Sequence, residues 1–278
     1  MRKPYFEQEG FILYLGDAIE ILNEFEEERF DLIFADPPYF LSNDGITCQS
    51  GKMVSVNKGK WDKSRGFEDD VRFTEKWLNA CRRVLKENGT IWISGTLHII
   101  FKIGYLLEKL GFDIINDIIW YKPNAPPNLS CKYFTHSHEI ILWARKSSKS
   151  KHTFNYELMK SWNNPKDKLK NKDKQMRSVW SIPLLPKAEK ECGKHPTQKP
   201  LELLNRIIAS SSKEKDWVLD PFVGSGTTGI VCRLLNRNFI GIDINKEFLD
   251  LTIKRLNQEN KRDLIYKPKI RNEITKFL

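Results

Sequence analysis

Short apolar runs alternate along this chain with longer stretches whose apolar positions recur at helical spacing. Phe11-Ile12-Leu13-Tyr14-Leu15 predicts a short buried strand, Gly16-Asp17 ends it, and residues 18–25 predict a helix. Phe30-Asp31-Leu32-Ile33-Phe34-Ala35 reads as a second strand, whereas residues 40–70 carry no clear period. Phe73, Trp77, Leu78, Cys81, Val84 and Leu85 share one face of a helix over 73–86, with Asn88-Gly89 as its expected stop. Thr90 to Ser94 predicts a strand, 98–110 a helix stopped by Gly111, and 112–121 and 138–144 two further strands. After residue 200 the alternation resumes. Pro200 opens a helix, 217–219 is a strand, a helix runs to Leu235, 239–243 is a strand and 246–259 a last helix. Strands alternating with helices predict an α/β fold with a mostly parallel sheet covered on both faces. No internal repeat is present.

Asp36-Pro37-Pro38-Tyr39 follows the second strand directly. Two prolines remove two N–H donors and fix two φ angles, so the sheet ladder stops in a stiff corner. The corner holds a carboxylate, backbone carbonyls and an aromatic ring. That set can receive a flat ring bearing an exocyclic amine. The bare tetrapeptide fits equally well a simple turn with a packed tyrosine. Asp17 has two readings as well: a helix N-cap, favoured on local grounds, or a side chain aimed into a cleft at a strand end.

Composition changes this picture at one place. The chain of 278 residues has a formal net charge of +10. Residues 146–190 hold 12 Lys or Arg against 4 Asp or Glu, with Phe154, Tyr156, Trp162 and Trp180 between them. Basic charge interleaved with aromatics predicts a nucleic-acid contact surface. Five cysteines form no C-x-x-C pair, which suits a reducing cytosol. There is no signal-peptide pattern and no membrane-spanning run, so a cytoplasmic protein without membrane partners is expected. Cys131, His136, His138, Cys192 and His195 match no compact zinc spacing, and no metal is expected.

Gly224-Ser225-Gly226-Thr227-Thr228-Gly229 fits G-x-G-x-x-G between a strand and a helix. Asp243, at the end of the next strand, is placed for ribose hydroxyls. A dehydrogenase would carry similar letters, so a nicotinamide-binding oxidoreductase stands as the remote alternative. Asp220-Pro221-Phe222 tilts the reading away from it. An acid there repels a pyrophosphate and suits a cationic cofactor without phosphate.

Asp-Pro-Pro-Tyr followed much later by Asp-Pro-Phe-x-Gly-Ser-Gly-Thr-Thr resembles the beta class of DNA amino-methyltransferases. His195-Pro196-Thr197-Gln198-Lys199-Pro200 resembles the segment that precedes the cofactor motif in that class. Ala35 to Asn43, Val54 to Gly59 and Asn128-Leu129-Ser130-Cys131 resemble, more narrowly, the second adenine methyltransferase of GATC restriction–modification systems.

The resemblance implies a Rossmann-like, S-adenosylmethionine-dependent fold with circularly permuted motifs and a seven-stranded sheet whose edge strand is reversed. It implies a catalytic half at 1–145, a target-recognition insertion at 146–192 and a cofactor-binding half at 193–278. The implied reaction is methylation of adenine N6 in DNA, with GATC as the site and single strands as an additional substrate. Asp36 and the Pro37 carbonyl would accept the target amine's hydrogens, with Pro38 and Tyr39 completing the catalytic corner and Tyr39 stacking on an extruded base. The cofactor would touch Asp17, Asp36, Thr197, Lys199, Asp220, Pro221, Phe222, Gly224, Ser225, Gly226, Thr227 and Asp243. Here the likeness reverses the local preference for Asp17 as a mere cap. Cytosine-N4 methylation is the nearest alternative, though an acid at position 36 favours adenine. A homodimer and a cognate endonuclease are the partners the class suggests.

Overall fold

The computed structural model describes residues 2–42, 46–49, 52–55, 59, 62–128, 131–162, 174–185, 189, 192–193 and 195–262. In chain order the elements are β1 (Phe6–Gln8), β2 (Phe11–Leu15), α1 (Ala18–Glu24), β3 (Phe30–Ala35), β4 (Ile46–Gln49), β5 (Lys52–Ser55) and α2 (Phe67–Val84). There follow β6 (Leu85–Gly95), α3 (Ile100–Lys109), β7 (Asp113–Tyr121), β8 (His138–Arg145), α4 (Tyr156–Ser161) and β9 (Val179–Ser181). The last are α5 (Leu201–Ser211), β10 (Trp217–Asp220), α6 (Thr227–Leu234), β11 (Asn238–Asp243) and α7 (Lys246–Arg262).

Among the described residues one sheet has nine strands in the order β1-β2-β11-β10-β3-β6-β8-β7-β9, and β4 pairs with β5 in a separate hairpin. The expectation of seven strands is corrected at both margins. β1 folds back antiparallel on β2, and β9 adds parallel to β7. Two strands are reversed: β1, at the edge, and β8, which lies inside the sheet between β6 and β7. The reason for the inner place of β8 is in its sequence: Ile141 to Ala144 are all buried, and such a run belongs inside a sheet with neighbours on both sides.

Side chains of β3 alternate between two cores. Ile33 and Ala35 join the one beneath α1, α2 and α3, whereas Leu32 and Phe34 join the one beneath α5, α6 and α7. Helix α2 starts and ends earlier than its apolar spacing suggests. Glu68, Asp69 and Asp70 occupy its first turn, where the helix dipole favours acids. It ends at Val84 because the fully buried Leu85 pairs with Phe30 as the first residue of β6. Asn88-Gly89 therefore lies inside the extended segment, not at the helix stop.

The basic stretch is partly built into the body. Met159 and Trp162 pack on Ala209 of α5, and the Asn155 amide donates to the Ala209 and Ser212 carbonyls. Trp180 of β9 is buried against Trp92, with the Arg206 guanidinium 5.0 Å from its ring centroid. Trp162 and Trp180 are thus core residues, which corrects their reading as nucleic-acid contacts; Phe154 and Tyr156 are exposed. The lysine-rich centre of this stretch, 163–173, and the tail 263–278 lie outside the described residues, as do Leu129 and Ser130.

Candidate active site

Four adjacent strands, β2, β11, β10 and β3, run parallel and deliver an aspartate each to the same edge of the sheet: Asp17, Asp243, Asp220 and Asp36. From β10 the chain continues to β11 on one side, and from β3 to β6 on the other. The crevice between β10 and β3 is therefore a topological switch point, the usual ligand seat of such sheets. A cleft of about 1080 Å³, counted with its open mouth, is lined by all four acids.

The corner after β3 is anchored by Asp62, a residue that sequence reasoning gave no role. Its carboxylate accepts from the backbone N–H of Tyr39 (2.8 Å), Phe40 (2.9 Å) and Leu41 (3.3 Å) and from the Ser42 hydroxyl (2.8 Å). Asp62 is 1% exposed, and Phe40 takes a left-handed φ of 58° at the turn it stabilises. Asp36 and Pro38 face the cleft, while Pro37 and Tyr39 are buried behind it. The Tyr39 hydroxyl donates to Asp36 Oδ1 at 2.6 Å, and Lys199 Nζ donates to Asp36 Oδ2 at 2.6 Å. Behind them lie Ser94, Glu139 and Lys122, the last donating to Glu139 at 2.5 Å. Burial opposes the charge on Glu139, but Lys199 and Lys122 outweigh it and hold the carboxyl down at about 2. Burial, reinforced by Asp36 and Glu139, pushes the Tyr39 phenol well up, so it stays a proton donor. Glu139 had one sequence signal: an acid inside an otherwise apolar strand needs a cation.

The opposite wall is the glycine loop. Gly224 and Gly226 have φ of 50° and 75°. A Cβ on Gly226 would stand 2.3 Å from Thr252 Cγ2, and one on Gly224 3.0 Å from the His195 ring, so only glycine fits. Arg255 donates to the Ser225 carbonyl and to the Thr227 hydroxyl, and Thr227 donates to the Lys199 carbonyl. That last bond ties the loop to the segment carrying Thr197 and Lys199, and Thr197 lines the cleft beside His195. Pro221 and Phe222 line it too, the Phe222 ring meeting Trp77 edge-on at 5.4 Å. Gly226 stands behind the lining. Arg65 and His195 also reach the cleft, the first from a stretch without periodicity.

The acids differ in their attachments. Asp17 caps α1 through Oδ1, which accepts from Ile19 and Glu20 N–H at 2.9 and 3.1 Å, and lines the cleft as well. The two readings of Asp17 are compatible. Asp243 accepts from Gly224 N–H on one oxygen and Asn245 N–H on the other. Asp220, 2% exposed, accepts from Phe222 N–H and the Thr228 hydroxyl at the start of α6. Burial pushes Asp220 up to about 7, with those two donors pulling back and Asp36 and Asp243 adding to the rise. The start of α6, where a Rossmann enzyme would seat pyrophosphate, is thus occupied by the chain's own carboxyl. A cleft of four acids with an apolar wall and a glycine cradle fits a cationic adenosyl group rather than a dinucleotide.

The family model for DNA methylases of the N6/N4 type matches residues 30–254. Type II methyltransferase M2.LlaDCHI of Lactococcus lactis subsp. cremoris is 54% identical over 259 residues, 93% of each chain. Type II methyltransferase M2.DpnII of Streptococcus pneumoniae is 53% identical over 94% of each, and M2.MboI of Moraxella bovis 50% over 98% of each. The crystal structure of an M1.HpyAVI–SAM complex superposes with a TM-score of 0.64 at 30% identity, covering 89% of this chain and 99% of that one. The cytosine-N4-specific PvuII methyltransferase, at 18% identity and TM-score 0.70 over 99% of this chain and 93% of its own, shares the fold. A family match over most of the chain, and relatives of this identity along nearly its whole length, place the protein: it belongs to the DNA methylase family.

Proposed function

We propose that this DNA methylase transfers a methyl group from S-adenosylmethionine to N6 of adenine in GATC, as the modifying arm of a restriction–modification system. One observation carries the reading: Asp36, after β3, and Gly224 and Ser225 of the glycine loop line one and the same cleft. The narrower choice of GATC is supported by the identity with M2.DpnII and M2.MboI.

When bound, S-adenosylmethionine supplies an electrophilic methyl on a sulfonium. The chain's part is placement. Asp243 Oδ1 accepts from both the N–H and the side-chain amide of Asn245, whereas Oδ2 accepts from Gly224 N–H and keeps a lone pair for a ribose hydroxyl. Asp17 would hold the adenine amine of the cofactor, and Asp220, Pro221, Phe222, Ser225, Thr227, Thr197 and Lys199, which line the same cleft, would hold the remainder. Asp36 and the Pro37 carbonyl accept the target amine's hydrogens, which directs the nitrogen lone pair towards the methyl. Positioning and electrostatics of this kind supply most of such a rate enhancement. Stacking of Tyr39 on an extruded base, worth roughly 1–3 kcal/mol, requires its ring to be uncovered when the base enters. The insertion at 146–192, between catalytic (1–145) and cofactor-binding (193–278) halves, reads the target. Duplex DNA is the main substrate and single strands a second one. A homodimer, a cognate endonuclease and a cytoplasmic location complete the proposal; no helix among the described residues is long and apolar enough to cross a membrane.

The test is transfer of labelled methyl to matched oligonucleotides with GATC or scrambled GTAC, single- and double-stranded. GATC alone should be labelled, at adenine N6 by mass of the digested product, and Asp36→Ala should abolish it. Label on cytosine would replace adenine by the N4 alternative. Label on neither, or full activity in Asp36→Ala, would refute the proposal.

A further inference from the structure

Both oxygens of Asp36 are occupied. The Tyr39 hydroxyl donates to Oδ1 and the Lys199 ammonium to Oδ2, each at 2.6 Å. A target amine must compete with these two donors for the same carboxylate. Lys199 Nζ also reaches the Tyr39 hydroxyl oxygen at 3.2 Å, and beyond Asp36 the two donors share one further acceptor. Glu139 Oε2 lies 3.3 Å from the Tyr39 hydroxyl and 3.6 Å from Lys199 Nζ. The Ser94 hydroxyl bridges the same gap, 3.0 Å from Tyr39 and 3.2 Å from Glu139 Oε2.

We propose that Glu139 is a positioning residue that draws Tyr39 and Lys199 off Asp36 when the target amine arrives. This rests on the methyl-transfer reading above and adds to it the group that frees the acceptor. The ion pair with Lys122 engages only one of the two Glu139 oxygens. Oε1 takes Lys122, which arrives from the end of β7, while Oε2 faces the corner. The carboxylate is buried with its cations, so it neither drifts into water nor takes up a proton at neutral pH. The exchange needs no net charge movement into or out of the site. The ammonium swaps one carboxylate for another, and the phenol swaps Asp36 for Ser94 or Glu139. The hydrogen bonds lost by Asp36 are replaced by those of the amine.

The experiment measures kcat and KM for GATC duplex and the Kd for S-adenosylmethionine in wild type, Glu139→Gln, Lys199→Met and the double variant. Gln keeps the shape of Glu139 but turns an amide towards a cation, leaving Asp36 as the carboxylate that holds Lys199. Its kcat should fall at least about tenfold, the weight of one charge-assisted hydrogen bond, with KM and cofactor Kd unchanged. In the Lys199→Met background the same substitution should cost much less, because the group it acts through is gone. Ser94→Ala, which removes only the bridging hydroxyl, should give a smaller kcat loss and stands in if Glu139→Gln fails to fold. A kcat near wild type in Glu139→Gln, or a loss of full size in both backgrounds, would overturn the inference. A wild-type protein that labels no DNA overturns the proposed function instead.

Discussion

A single buried carboxylate can decide the shape of a loop, and Asp62 does so here. Three backbone N–H groups and one hydroxyl converge on it where the chain leaves the two prolines. Replacing it with alanine leaves buried donors without an acceptor. We expect Asp62→Ala to cost at least about 3 kcal/mol in denaturant unfolding, with methyl transfer lost in step. Unchanged stability would mean that the corner holds itself. Nothing in the sequence marks Asp62, because its partners lie some twenty residues upstream and three of the four are backbone groups. Asp220 yields a prediction with a sign. Its folded carboxyl is raised to about 7, against an ordinary value near 4. The proton is held in the folded state and released in the unfolded one between these values. Its contribution to stability is therefore full below about pH 4 and lost as pH rises through 7. A cationic cofactor favours the ionised form. Cofactor affinity measured by calorimetry should weaken as pH falls from 8 to 6 relative to Asp220→Asn, which has no such proton. Parallel slopes for the two proteins would count against the role of Asp220.

At the scale of elements, apolar spacing located most helices and strands, and it failed where pairing in the sheet overrode it. Leu85 has the right spacing to extend α2, yet it pairs with Phe30 and starts β6. The β4–β5 hairpin and β9 carry too few residues for a period to emerge. Trp180 shows how the same letters serve two ends. Lysines surround it in sequence, but β9 turns its ring into the core under the Arg206 guanidinium. Trp180→Ala should destabilise the fold by about 3–5 kcal/mol, the usual cost of a large buried aromatic. Its folded fraction should bind DNA with wild-type affinity in a shift assay. Selective loss of DNA binding with stability intact would return this residue to the contact surface.

For the whole molecule, charge is the long-range signal. The net of +8 over 146–190 stands out in a chain whose total is +10. Association with DNA should weaken linearly in log K against log salt, by about 0.9 per phosphate contacted. Replacing Lys166, Lys168, Lys170 and Lys172 by alanine should reduce that slope by up to about 3.6, measured by fluorescence anisotropy at several salt concentrations. An unchanged slope would place the DNA track elsewhere. The sequence by itself determined the α/β class, the corner, the glycine loop and the four aspartates. Each rests on local chemistry: proline stops a strand, glycine permits a left-handed turn, and an acid ends an apolar run. Only the tertiary structure decided that those four acids share one cleft, that β8 lies within the sheet, and that Glu139, Lys122 and Asp62 stand behind the corner. These depend on strand order and on contacts between residues far apart in the chain, and a one-dimensional pattern carries no record of which strands become neighbours.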